Sequence, residues 1–248
     1  MAATGTGSEA IGADGLSAAT VLAAVGRAAT GSAVGFVAGA VIGGVGGRLA
    51  MLLLRLTSDS SLAGVRTDDD FEIGSITGDT LFLVGVAAFG GAVLGFAYVA
   101  TRRWLPAAHR PVVAAVVLGA IGGAAVIEPG GVDFTLLEPL WFAVALFIAL
   151  PAAFGAALAW GVERAIPRVR ARRPHILVLI LALAPVLLTG PAAALTVLGA
   201  LGWAALRQWP GVGRLWWSPE VTVAGRALGV AGTGYAAAVL AQDASAIL

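Results

Sequence analysis

The chain contains no cysteine and no lysine. Without cysteine there is no disulfide, no thiol nucleophile, no iron–sulfur ligation and no palmitoyl or prenyl anchor. Without lysine no Schiff base to retinal or pyridoxal can form, which removes seven-helix photoreceptors of the rhodopsin kind. Charge is scarce as well. Only 12% of the 248 residues are charged against 59% in the apolar set, and the mean hydropathy is +0.93. Soluble domains carry roughly 25% charged residues. Half that proportion leaves too little polar surface to cover a globule in water, so a soluble enzyme and a nucleic-acid-binding domain are set aside. The fifteen cations, all arginine, nearly cancel the fourteen acids, so the information lies in where the charges stand. Arginine as the only strong cation, with abundant Ala and Gly, also matches the codon usage of a GC-rich bacterial genome.

What is present is apolar sequence in long runs. A bilayer core of roughly 30 Å needs about 20 helical residues, and a run of that length inside it satisfies its own backbone only as a helix. Stretches 28–50, 80–101, 112–127, 140–162 and 221–241 are read as membrane-crossing helices. The run 176–206 would be ~46 Å long as one helix at ~1.5 Å per residue. Gly190-Pro191 breaks it near its middle, so it divides into short spans 176–189 and 192–207. The fold class is all-α: a polytopic transmembrane bundle of seven spans, with six as the alternative. A single domain, 28–241, lies between a polar N-terminal tail (1–27) and a short C-terminal tail (242–248). The first 26 residues hold Glu9 and Asp14 but no cation, unlike a secretory leader. Pro151 predicts a kink in the fourth span. All seven tryptophans (104, 141, 160, 203, 209, 216 and 217) fall near proposed span ends, where indoles favour the headgroup level.

Arginine placement orients the chain. Arg102, Arg103 and Arg110 follow span two, a run from Arg164 to Arg173 follows span four, and Arg207 and Arg214 precede the last span. The alternate loops carry acids instead: Asp59, Asp68, Asp69, Asp70, Glu72 and Asp79, then Glu128, Asp133 and Glu138. Arginine excess marks the cytoplasmic side, which puts the N-terminus inside a bacterial plasma membrane. Arg48 and Arg55 stand at the outer end of span one, against this rule. Seven residues apart on one helix face, they are expected to meet Asp68, Asp69, Asp70 and Glu72 as the first outer loop folds back. Such an outer-face charge network either ties the loop down or forms an acidic vestibule.

Span one also carries Gly31, Gly35, Gly39, Gly43 and Gly47, a ridge spaced by four that lets a second helix approach closely. Internal packing is the ordinary use of such a ridge, and oligomerisation the sharper one. The carboxylates of EPGGVDFTLLEP (128–139) and TDDD (67–70) match no defined metal loop, and a solvated acidic loop is the commoner meaning. The arginines of 163–173 suit anionic headgroups; no aromatics are interleaved there, so they do not suit nucleic acid. His109 and His175 stand in basic loops apart from any acidic motif. No paired histidines on a helix, serine elbow or lysine-bearing phosphate loop occurs, so neither an enzyme nor a cofactor is expected.

The segments RLAMLLLRLTSD (48–59), GVRTDDDFEIGSIT (64–77) and VDFTLLEPLWFAVALF (132–147) resemble an uncharacterised group of multi-pass integral membrane proteins of GC-rich, actinobacterial-type bacteria. The likeness covers roughly residues 40–165. It implies a bacterial plasma membrane and no catalytic residues, and it draws attention to Arg48, Arg55, Asp69, Glu72 and Asp133. Three functional classes follow, in decreasing order: a non-catalytic membrane component packing with itself or with partner subunits; a small solute or ion transporter or channel; and an intramembrane enzyme.

Overall fold

The computed structural model describes residues 18–58, 78–135, 138–171, 198–199, 202–203 and 210–248. Among these residues all regular structure is helical. The elements are α1 (Ala18–Ala38), a π-helical segment (Gly39–Gly46), α2 (Gly47–Thr57), α3 (Gly78–Thr101), α4 (Arg110–Val126), α5 (Val132–Thr135), α6 (Leu140–Ala171), α7 (Pro210–Trp216) and α8 (Pro219–Ile247). Five stretches among the described residues are long and apolar enough to cross a membrane: Ala23–Thr57, Leu81–Trp104, Ala107–Val126, Leu140–Pro167 and Pro219–Ile247. They coincide with five of the expected spans. The other two, 176–189 and 192–207, lie outside the described residues except at 198–199 and 202–203. Both ranges expected to be tails contain helix. α1 is already helical at Ala18, and α8 continues to Ile247, because nothing in AATVLAAV or AQDASAI breaks a helix.

The long helices lie in the order α3, α1, α6, α4, α8, each touching its neighbour. α1 and α3 are antiparallel and meet backbone to backbone. A methyl group placed on Gly35 would stand 2.0 Å from the Gly91 carbonyl oxygen, one on Gly95 would stand 2.1 Å from that of Gly31, and one on Gly39 2.2 Å from that of Ala87. Lipid supplies no hydrophobic force between helices, so such close contact is what holds them together. α4 and α6 form a second pair of this kind: Gly155 faces the Ala114 carbonyl and Gly119 faces Ala152. α6 is helical on both sides of Pro151, whose ring rests against Gly122.

The glycine ridge does not continue as its spacing suggests. A π segment bonds i to i+5 where an α-helix bonds i to i+4, so the face turned to α3 advances five residues instead of four. After Gly39 it arrives at Gly44, which is buried against Val84. Gly43 is exposed, a methyl on it would stand 3.2 Å from that of Ala87, and one on Gly47 would meet nothing within 4 Å among the described residues.

At the end away from Arg102 and Arg110, Leu54, Ile127, Phe134, Ala143 and Val144 form a buried cluster under α5. There the Thr57 and Ser58 hydroxyls donate to the Glu138 carbonyl oxygen at 2.9 and 3.1 Å, and the Glu138 N–H donates to Ser58 Oγ at 2.9 Å. The end of α2 is therefore clasped by the loop before α6. Residues 59–77, expected to fold over it, lie outside the described residues.

Candidate functional site

A charged cluster of the described residues gathers at one end of the bundle, where α1 begins, α3 ends, α4 begins and α6 runs out. Glu163 is its centre. Arg110 Nη1 lies 2.9 Å from Glu163 Oε2, Arg102 Nη1 lies 3.2 Å from Oε1, and the Tyr98 hydroxyl donates to Oε1 at 3.1 Å. Arg110 Nε also donates to the Arg102 carbonyl at 3.2 Å, which fixes the turn between α3 and α4. Glu163 and Arg110 are mostly buried, at 28% and 17% side-chain exposure, so this pairing is screened less than a surface ion pair. Held by two guanidiniums and a phenol, Glu163 acts as a lock that ties α3, α4 and α6 together at this end.

Next to the lock is a cavity of about 320 Å³. It is lined by Arg27, Arg102, Arg103 and Arg110 and by Trp203, Trp216 and Trp217. Ala24, Ala28, Phe96 and Val99 make the rest apolar. The aromatic side is built ring on ring: Trp203 meets Trp216 edge-on at 4.4 Å between centroids, and Trp104 meets it at 5.7 Å. The Arg103 guanidinium lies 4.5 Å from the Trp216 ring centre and 5.1 Å from that of Trp217, within cation–π range. Trp104 in turn lies on Gly225 of α8, where a methyl would come within 2.5 Å of the indole, and Arg226 Nε donates to its carbonyl at 3.1 Å.

The residues singled out from sequence fall elsewhere. Arg48 and Arg55 are half-buried on α2 at the opposite end. The side chains of Asp68, Asp69, Asp70, Glu72 and Asp133 lie outside the described residues, so their pairing with these arginines does too. Gly31, Gly35 and Gly39 sit in the α1–α3 contact. Among the described residues no group of three or more His, Asp or Glu is placed to hold a metal ion. Sequence reasoning missed Tyr98, Glu163 and Arg27. The usable signals were faint: Glu163 is the lone acid within an arginine run, and Tyr98 stands one helical turn before Arg102. The tryptophans, read only as headgroup anchors, are partly consumed in contact with one another. No protein-family model, no curated protein and no solved structure matches the chain.

Proposed function

We propose that the chain is a non-catalytic integral membrane component of a bacterial plasma membrane, N-terminus in the cytoplasm, that packs with further copies of itself or with partner subunits. The observation that carries this reading is the incomplete docking of α8. It touches the rest of the bundle near its two ends, at Gly225 on Trp104 and at Leu240 on Gly123. Between them α4 and α8 leave an apolar groove of about 900 Å³, walled by Val113, Val116 and Val117 on one side and Leu228, Gly229 and Thr233 on the other. A methyl placed on Gly229, Gly232 or Gly234 would meet nothing within 4 Å among the described residues, and Leu228 and Val230 are 74% and 75% exposed. A groove with bare backbone on one wall suits a close-packed helix from another chain.

A seven-span count is part of this proposal. α6 ends, and α8 begins, at the same arginine-rich end of the bundle, since Glu163 and Gly225 both lie against residues 98–110. An intervening segment that returns to its starting side crosses an even number of times, which favours seven over six. The same end is the arginine-rich one, which supports assigning it to the cytoplasm.

Transport is the second reading, and the polar cavity is the observation in its favour. Against it, the α1–α3 contact is closed at mid-depth by backbone on backbone. The cysteine-free sequence permits a direct test of assembly. Leu228→Cys in native membranes gives a disulfide-linked species under mild oxidation, while Ala92→Cys, buried between helices, gives none. A strictly monomeric mass in nanodiscs, with no link at Leu228→Cys, overturns the assembly reading.

A further inference from the structure

We infer that the groove between α4 and α8 holds an acyl chain of an anionic phospholipid, with the headgroup phosphate on Arg226. Arg226 lines the groove at its arginine-rich end, together with Trp104. It is exposed, and its Nε donates to the Trp104 carbonyl at 3.1 Å. Among the described residues it has no ion pair, and neither of its Nη atoms makes a hydrogen bond. The Nε bond fixes where the guanidinium lies and leaves both Nη groups for phosphate oxygens, which arginine holds as a pair. With the side chain already held, little ordering opposes that contact.

Away from Arg226 the groove is suited to hydrocarbon. It is lined by Val113, Val116 and Val117 of α4 and by Leu228 and Val230 of α8. Thr101 and Thr233 line it too, but each donates to its own helix, to the Ala97 carbonyl at 2.8 Å and to that of Gly229 at 2.7 Å. Neither hydroxyl proton is left for a polar occupant, which would lose its own hydrogen bonds on entering. Length points the same way. From Arg226 to Ala237, which also lines the groove, α8 rises ~16 Å at ~1.5 Å per residue. One leaflet offers ~15 Å of hydrocarbon, half of a roughly 30 Å core. Past Ala237 α8 closes on α4: a methyl on Gly123 would stand 3.1 Å from the Leu240 side chain, which packs on the cluster around Leu54 and Phe134. A cation at headgroup level beside an apolar groove one leaflet deep fits a charged lipid and its tail. The groove is the one assigned above to an assembling helix, so the lipid is its occupant in the unassembled chain.

The test uses the full chain purified in detergent and read by native mass spectrometry, which counts the lipids retained by each monomer. The probes are phosphatidylglycerol and phosphatidylcholine with the same tails, and inorganic phosphate as a competitor. One phosphatidylglycerol per chain is expected, held at least fivefold more strongly than phosphatidylcholine. Arg226→Gln should weaken its retention fivefold or more, to the level of phosphatidylcholine. Gly229→Leu puts bulk into the groove, where a methyl meets nothing within 4 Å among the described residues, and should weaken retention of both lipids several-fold. Arg55→Gln makes the same charge change at the far end of the bundle and should leave retention unchanged. Helicity and melting temperature close to those of the wild type show that each variant folds. The inference is overturned if no lipid is retained, if phosphatidylcholine matches phosphatidylglycerol, or if Arg226→Gln and Arg55→Gln behave alike. It is overturned as well if Gly229→Leu has no effect, or if inorganic phosphate displaces the lipid, which would make the site one for a free anion. The lipid is counted on the monomer, so failure here leaves the assembly reading standing. A bound lipid with no disulfide at Leu228→Cys overturns that reading alone.

Discussion

The middle and the arginine-rich end of this bundle are held together by opposite means. Along the α1–α3 contact side chains are few and small: Gly31, Gly35 and Gly39 face Gly95, Gly91 and Ala87, and carbonyl oxygens sit where a methyl group would go. At the end the longest side chains in the repertoire do the work, with Arg102, Arg110 and Tyr98 converging on Glu163 and indoles stacked beside them. The difference follows the solvent. In hydrocarbon, tight approach is the available attraction, whereas at the headgroup level a charged network can be paired without burying bare charge.

The sharpest way to break this contrast is to put bulk into the middle. Gly35→Leu should remove the folded state or destabilise it by ~3 kcal/mol or more, beyond the usual range for overpacking, because backbone blocks the side chain. Gly47→Leu, where an added methyl meets nothing within 4 Å among the described residues, should melt within a few degrees of the wild type in detergent. Equal melting temperatures for the two would dissolve the contrast. The end should respond to charge instead. Glu163→Gln leaves two guanidiniums facing each other without their carboxylate and should cost about 1–3 kcal/mol, less than a fully buried pair because the groups are part-exposed. Denaturant titration should show that loss shrinking as salt is raised, while the loss for Gly35→Leu stays constant.

A finer test concerns neighbouring glycines. Gly44→Ala forces a methyl to within 2.8 Å of the Val84 Cα and should cost roughly 1–2 kcal/mol by overpacking. Gly43→Ala gains helix propensity at an exposed position and should be neutral or stabilising by up to ~1 kcal/mol. The reverse order would mean that the segment winds as an ordinary α-helix. The smallest effect is expected for Arg226→Gln, which removes an exposed hydrogen bond to the Trp104 carbonyl and should shift stability by ~0.5–1 kcal/mol.

Hydropathy was enough to locate five helices long and apolar enough to cross a membrane, since each apolar run is bounded by arginine or acid. The spacing of Gly31, Gly35 and Gly39 likewise marked the face that meets α3. Beyond Gly39 the reading failed, because the doublet Gly43-Gly44 lets a ridge of step four and a ridge of step five look alike in sequence. The cavity was illegible for a different reason. Its walls come from α1, the α3–α4 turn and residues around 203 and 216, and nothing local tells an arginine that points into a shared space from one that points at headgroups. Glu163 was hidden the same way: its partners stand 53 to 65 positions earlier in the chain.

The wide turn at Gly39–Gly46 has a consequence for how the gene can change. In a regular membrane helix, losing one residue swings everything beyond it by ~100° and draws it ~1.5 Å along the axis. Here the backbone already stores slack of about one residue, so shedding Gly43 would let the coil tighten to ordinary winding. Arg48 and Arg55 would keep their compass bearing, and a deletion fatal elsewhere in the span would be absorbed in silence.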